Sequence, residues 1–224
     1  MYVPAHFAAT SAVVHDLLRS PGAADLVTAT PDGLVATMLP LVHDPEVGEH
    51  GALQGHVART NDQWRQPVHG EALVVVRGPD AYVSPSWYAS KREHGRVVPT
   101  WDYVTLHVYG RLVVHRDPAW LEAHVRRLSD QHEQGEARPW SVDDAPPAYV
   151  AGQLRAIVGL EVVISRIEAK AKLSQNRPPA DVDGVVAGLL ARGDVPAADA
   201  VRSARTPPPD DRMLPGPLPE DERR

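Results

Sequence analysis

The sequence predicts a mainly antiparallel β-barrel with Greek-key links and peripheral helices, an α+β arrangement. Three observations predict it. Six or seven β-rich runs follow one another, mostly across short turns. They do not alternate regularly with helices, as a doubly wound parallel sheet would require. The 224 residues are 43% hydrophobic and 23% charged, the balance of a globular chain with a sizeable core.

Residues 11–19 (SAVVHDLLR) carry apolar side chains at 13, 14, 17 and 18, the spacing of a helix face, with Thr10 or Ser11 as N-cap. ADLVTAT (24–30) and LVATMLPLV (34–42) flank Pro31-Asp32-Gly33, a hairpin signal. Residues 51–57, 71–78 and 81–85 read as further strands, with a short helical turn after Thr60 or Asn61 and an irregular loop over 87–99. Residues 100–117 alternate over a long strand bent at Gly110. Pro118 opens a helix to about His132, a second helix covers about 147–157, and 159–175 is the last strand. Short helices follow at 181–191 and 196–204. The expected organisation is a barrel over residues 1–178, short helices packed on it over 179–205, and a Pro-rich tail over 206–224. That tail is too poor in apolar residues to offset its ordering entropy and is expected to be disordered.

Composition excludes several functions. With no cysteine, disulfides, thiolate zinc sites, iron–sulfur clusters and a cysteine nucleophile are out. No metal is expected, because the eleven histidines show no helical H-x-x-x-H spacing. No apolar run is long enough to span a membrane, and the N-terminus lacks the pattern of a signal peptide, so a cytoplasmic location is expected. A net charge of −6 disfavours a whole-surface nucleic-acid footprint. There is no G-x-G-x-x-G after a strand, no P-loop and no G-x-S-x-G elbow. No general acid or base stands out, although His56, His94 and His107 qualify by type.

Four stretches have chemical content. In Gly55-His56-Val57-Ala58-Arg59-Thr60-Asn61-Asp62-Gln63-Trp64 a strand runs into a helical turn, where free N–H groups and an Arg fork suit a phosphate; an ordinary Asn-capped turn with a solvated Arg has the same residues. Ala36-Thr37-Met38-Leu39-Pro40 offers a hydroxyl and an apolar ledge, or simply a strand that ends at proline. Ser84, Trp87, Tyr88, Lys91, Thr100 and Trp101 crowd one loop of a chain that is only 5% aromatic, which suits ligand contact or a subunit interface. Lys170 to Pro178, with Lys172, Gln175 and Arg177, is a basic strand end or a solvated face.

Taken in order, M-Y-V-P-x-x-F at 1–7, A-T-x-L-P at 36–40, G-H-x-A-R-x-N-x-Q-W at 55–64, S-P-x-W-Y at 84–88, V-P-T-W-x-Y at 98–103 and K-L-S-Q-N-R at 172–177 resemble the PaiB family of FMN-binding negative transcriptional regulators. The resemblance covers about residues 1–205. It implies the FMN-binding split-barrel fold shared with pyridoxamine-phosphate-oxidase-like flavoproteins, and a homodimer with FMN between subunits. It implies that Thr37 and Leu39 line the isoalloxazine edge, and that His56, Val57, Ala58, Arg59, Asn61 and Trp64 run toward the phosphate with Arg59 as charge partner. Lys172, Gln175 and Arg177 would reach the flavin, while Ser84, Trp87, Tyr88, Lys91, Thr100 and Trp101 would form an outer or partner-subunit loop. Two departures weaken the implied flavin site: Met38 stands where the family commonly has His, and Asp102 where it has Asn. Methionine makes no strong hydrogen bond to a flavin carbonyl, and a carboxylate near a phosphate repels it. DNA enters only through the family's regulatory role. The alternative on the same barrel is a flavin-dependent oxidoreductase, or a haem-handling relative, acting on a small molecule.

Overall fold

The computed structural model describes residues 1–205; the expected disordered tail at 206–224 lies outside the described residues. Seven strands form one sheet in the order β2-β1-β5-β6-β7-β4-β3. They are β1 (Ala23–Thr30), β2 (Gly33–Pro40), β3 (Val42–Asp44), β4 (Ala52–Ala58), β5 (Ala72–Val83), β6 (Thr100–His115) and β7 (Ile157–Lys172). The helices are α1 (Ser11–Arg19), α2 (Ser90–Glu93), α3 (Pro118–Glu133), α4 (Pro147–Arg155), α5 (Pro179–Ala191) and α6 (Val195–Ser203). The chain divides into two compact units, and β5, β6 and β7 contribute residues to both. One unit comprises Met1, Asp16–Gly78 and Thr105–Ala169; the other comprises Tyr2–His15, Pro79–Val104 and the chain from Lys170.

In the first unit, β1 and β2 make the expected hairpin, in register from Ala23↔Pro40 to Thr30↔Gly33. Gly33 takes the positive φ of the turn (116°), and Thr30 Oγ1 donates to its carbonyl at 2.8 Å. Period-two alternation sorts the faces. Ala24, Leu26, Thr28 and Thr30 are buried, while Asp25, Val27 and Ala29 face outward with their partners Met38, Ala36 and Leu34. The run 34–42 was expected as one strand but breaks at Leu41, since Pro40 has no N–H to continue the ladder; Leu41 N instead donates to the Gly22 carbonyl at 3.0 Å. β4 pairs with β7 from Ala52↔Val163 to Ala58↔Ile157. Its Leu53 and Val57 are core residues, and its Gln54 and His56 meet side chains of α3.

The runs 71–78 and 81–85, expected as two strands, form the single strand β5 through Gly78-Pro79. β1 pairs with β5 only from Leu73 to Val75, so Pro79 lies where no β1 ladder needs its missing N–H. The glycine expected to bend β6 has a different reason: a Cβ at Gly110 would collide with the Val163 carbonyl, so the backbones of β6 and β7 pass too closely for a side chain. The loop 87–99 is more ordered than expected, containing α2 after a 3₁₀ turn at Pro85–Trp87.

In the second unit, α5 and α6 pack against each other, and Val182, Val185, Leu189, Ala198 and Val201 on them are buried. Gly184 and Gly188, one turn apart on α5, form a cradle in which Trp87 lies; a Cβ at the first would strike the Trp87 carbonyl oxygen, and at the second its indole.

Candidate functional site

The first unit joins two of the four stretches singled out from the sequence. Asn61 accepts a hydrogen bond from Gln63 N at 2.9 Å, capping the 3₁₀ turn Asp62–Arg65, and its Nδ2 donates to Thr37 Oγ1 at 3.1 Å. The β2 edge and the β4 exit are therefore bonded side chain to side chain. Gln63, missed as a site residue, secures the junction: it is 1% exposed, and its Nε2 donates to Thr28 Oγ1 (3.0 Å) and to the carbonyls of Leu26 and Val35. Its Oε1 is buried without a partner. Leu39 is buried beside Gly55, and Thr37 is half-buried. Met38 is 68% exposed on the opposite face of β2 from Thr37, so the hydroxyl, not the thioether, faces Asn61.

The turn also gathers cations. Arg59 Nε donates to the Arg155 carbonyl at 2.6 Å and Nη2 to that of Ile157 at 2.9 Å, which fixes the guanidinium while leaving other N–H groups free of these bonds. Trp64 Nε1 donates to the Arg59 carbonyl, and the guanidiniums of Arg65 and Arg116 lie 4.9 and 5.6 Å from the Trp64 ring centroid. Arg65 pairs with Asp62, whereas Arg116 has no ion pair among the described residues. Val57 is buried in the core and Ala58 is exposed at the end of β4.

His56 is not part of the Thr37–Asn61 junction. Its Nδ1 meets Nε2 of His124 on α3 at 3.1 Å, and Trp120 stacks between His124 and His115 at centroid distances of 5.3 and 4.0 Å. His115 Nε2 lies 3.0 Å from Glu161, which accepts from Gln54 Nε2 at 2.6 Å. Burial holds both imidazoles of the pair in their neutral forms: His56 titrates below its ordinary range, and His124 is pushed down to about 3 by burial and then by the neighbouring His56, Arg127 and His115. His124 could have been found from spacing, since Leu121, His124 and Leu128 form the buried stripe of α3.

The other candidates lie in the second unit. Lys172 Nζ donates to Thr100 Oγ1 (2.8 Å) and the Trp101 carbonyl (2.5 Å) and pairs with Asp102 (3.4 Å). Asp102 is buried and accepts from Ser174, itself at φ 61°, with an Oγ–Oδ2 distance of 2.7 Å. Its negative charge thus has a half-buried cationic partner; burial nonetheless raises its pKa, outweighing Ser174 and Lys172. Gln175 closes its own turn, donating to the Ala171 carbonyl and accepting from Leu173 N. Arg177 sits 4.7 Å from the ring of Tyr88, whose hydroxyl is buried without a hydrogen-bond partner. Ser84 caps the 3₁₀ turn through Ser86 N, Lys91 donates to Ser86, and Trp101 donates to Asp80 and is half exposed. Ser90 donates from both N and Oγ to the buried Asp181; burial raises that carboxyl, but the Ser90 bonds prevail and hold it below the usual range.

The described residues contain no cluster of three His, Asp or Glu side chains able to hold a metal, and no helix long and apolar enough to cross a membrane. Residues 1–166 match the family described as "Putative FMN-binding domain". Over 192 residues the chain is 32% identical to Protease synthase and sporulation protein PAI 2 of Bacillus subtilis, covering 84% of this chain and 89% of that one. It is 31% identical over 226 residues to an uncharacterized protein of Emericella nidulans, covering 84% and 90%. Among solved structures, the flavocytochrome Anf3 from Azotobacter vinelandii superposes with a TM-score of 0.50 at 14% identity, covering 72% of this chain and 67% of that one. A conserved hypothetical protein of Mycobacterium tuberculosis gives 0.53 at 13% identity, covering 80% and 94%. The fold is the expected FMN-binding split-barrel class, and the chain belongs to the FMN-binding domain family and is a homologue of the Bacillus PAI 2 protein.

Proposed function

We propose that this protein is a PaiB-like FMN-binding regulator that works as a homodimer. One observation carries the reading: the A-T-x-L-P edge and the A-R-x-N-x-Q-W turn, far apart in sequence, are locked together by the Asn61–Thr37 hydrogen bond, with the Arg59 carbonyl bonded to Trp64 and the Arg116 guanidinium over its ring. These residues fit FMN. An orphaned buried Gln63 Oε1 shows the junction to be polar inside, Leu39 supplies apolar wall, and Arg59 and Arg116 supply charge for a phosphate. Thr37 and Asn61 would hold the ring edge and Arg59 the phosphate. Lys172, Gln175 and Arg177, with Ser84, Trp87, Tyr88, Lys91, Thr100 and Trp101, lie in the second unit, and their outer cofactor and partner-loop roles rest on the family resemblance alone. Bound FMN supplies reversible one- and two-electron chemistry, and the side chains supply orientation. Replacing Arg59 by alanine should weaken FMN binding about 10- to 100-fold, the worth of a charge-assisted hydrogen bond. Fluorescence titration of FMN measures it, with circular dichroism to confirm folding; unchanged affinity removes Arg59 from the phosphate role.

The outer face of β1, β2 and β5 supports the dimer. Leu34 is 79% and Met38 68% exposed, and Ala36, Val27, Leu73 and Val75 share that face by register. This face is largely apolar, with the Asp25–Arg77 ion pair at its margin beside Met38, and such a face suits a second subunit. Met38→Lys should therefore convert dimer to monomer in analytical ultracentrifugation; a wild-type protein that sediments as a monomer contradicts the dimer.

A flavin-dependent oxidoreductase of a small molecule is the second reading, and the C-terminal helices favour it. Their cations are taken up locally: Arg202 pairs with Asp199, Arg205 with Asp183, and Arg192 lies 4.5 Å from the Trp87 ring centroid. That leaves them poorly suited to reading a DNA groove. Salt-sensitive binding to a promoter fragment, absent with random DNA, supports direct regulation. Bleaching of bound flavin by NAD(P)H supports the oxidoreductase.

A further inference from the structure

The arrangement of β4 against α3 contains an imidazole pair that the flavin junction does not use. His124 is fully buried, and its Nε2 lies 3.1 Å from His56 Nδ1. One of the two nitrogens must donate and the other accept. Nδ1 of His124 is buried without a hydrogen-bond partner. Trp120 stacks at 18° to the His124 ring, so a proton on Nδ1 would lie nearly parallel to the indole face and could not point into it. A proton there would be an orphaned buried donor, the rarer and costlier kind of unsatisfied group. The proton therefore belongs on Nε2, directed at His56 Nδ1, and His56 must carry its own proton on Nε2. That second nitrogen, on a half-buried side chain, has no hydrogen-bond partner among the described residues.

We infer that His124 is a positioning residue that fixes His56 as a neutral imidazole protonated on Nε2, so that His56 offers a standing hydrogen-bond donor to an oxygen or unprotonated ring nitrogen of a bound ligand. The tautomer rests on the histidine pair alone; a use of it by FMN would lie outside the Thr37–Asn61 junction and rests on the function proposed above. Burial keeps both imidazoles neutral, and at His124 the surrounding charges add to its effect. Arg127 from α3 and His115 from β6 disfavour a proton on His124, while the carboxylate of Glu161 on β7 is engaged by His115 and Gln54. The pair thus works as a donor and not as a general base.

Nitrogen-15 NMR of histidine-labelled full-length protein, without added FMN, tests this. At pH 7 the His56 ring should show a protonated Nε2 and a bare Nδ1. In His124→Leu that tautomer should become a mixture. His124→Gln, whose amide can donate to Nδ1, should keep the wild-type pattern. A proton on Nδ1 of His56 in the wild type overturns the inference, as does an unchanged His56 in a folded His124→Leu protein. Should the leucine variant fail to fold, the wild-type tautomer and the glutamine variant decide. An FMN titration of the same wild-type sample separates the two claims: the stated tautomer without FMN binding retains the positioning role and removes the flavin reading.

Discussion

Replacing Gly184 by alanine is expected to destabilise the protein by about 3 kcal/mol, the upper end of the ordinary overpacking range. The added Cβ would fall on the Trp87 carbonyl oxygen, a backbone atom of the 3₁₀ turn at Pro85–Trp87, so no side-chain rotation relieves the clash. Helix α5 or the turn must move, and either movement disturbs Asp181, whose carboxylate holds Ser90 N and Oγ at 2.9 and 2.7 Å. For a chain of this size the midpoint of thermal unfolding should fall by about 6–12 °C. Gly188→Ala should cost less, because its Cβ meets the Trp87 indole, which can rotate at the expense of its contact with Arg192. Ala187→Ser, exposed on the same helix, should change stability by less than about 0.5 kcal/mol. A calorimetric scan measures all three; a Gly184→Ala protein with wild-type melting would show that the cradle is not tightly packed.

Acid should destabilise the protein in part through His124, beside the smaller shares of His56 and His107, and removing that histidine should remove its share. His124 titrates at about 3 when folded and near the ordinary 6.5 when unfolded. Between those values the unfolded chain binds the proton and the folded chain does not. Stability therefore falls as pH drops below 6.5, and the loss levels off near the folded value. At pH 5 the penalty is about 2 kcal/mol. Asp102 works in the opposite direction, since its raised carboxyl takes up a proton more readily when folded. Comparing wild type with His124→Phe isolates the histidine: urea unfolding at pH 7.5 and pH 5 should show a smaller loss in the variant. Equal losses in the two proteins would contradict neutral burial of His124.

Most of the fold was legible from local pattern. The period-two run at 24–30, the Pro31-Asp32-Gly33 turn and Pro118 at the start of α3 each act within a few residues, and each appears where expected. What escaped notice depends on neighbours distant in sequence. Pro79 reads as a strand break, yet β5 passes through it because β1 has already ended beside it. Gly110 reads as a bend, yet the Val163 backbone is what forbids a side chain there. The candidate site shows the same division. Thr37 and Asn61 came from motifs and proved to be bonded, but Gln63, whose three hydrogen bonds cross two strands, looked like spacing within a motif. His56 came from a motif too, while its partner His124, 68 residues away, was visible only as one position of a helical stripe.

The absorption spectrum of the purified full-length protein, after incubation with FMN and desalting, tests the central claim most directly. Retained flavin bands at one FMN per chain in the wild type, and their loss in Arg59→Ala, are the predicted result. A folded wild-type protein that retains no FMN, with no saturable quenching of flavin fluorescence on titration, would contradict it.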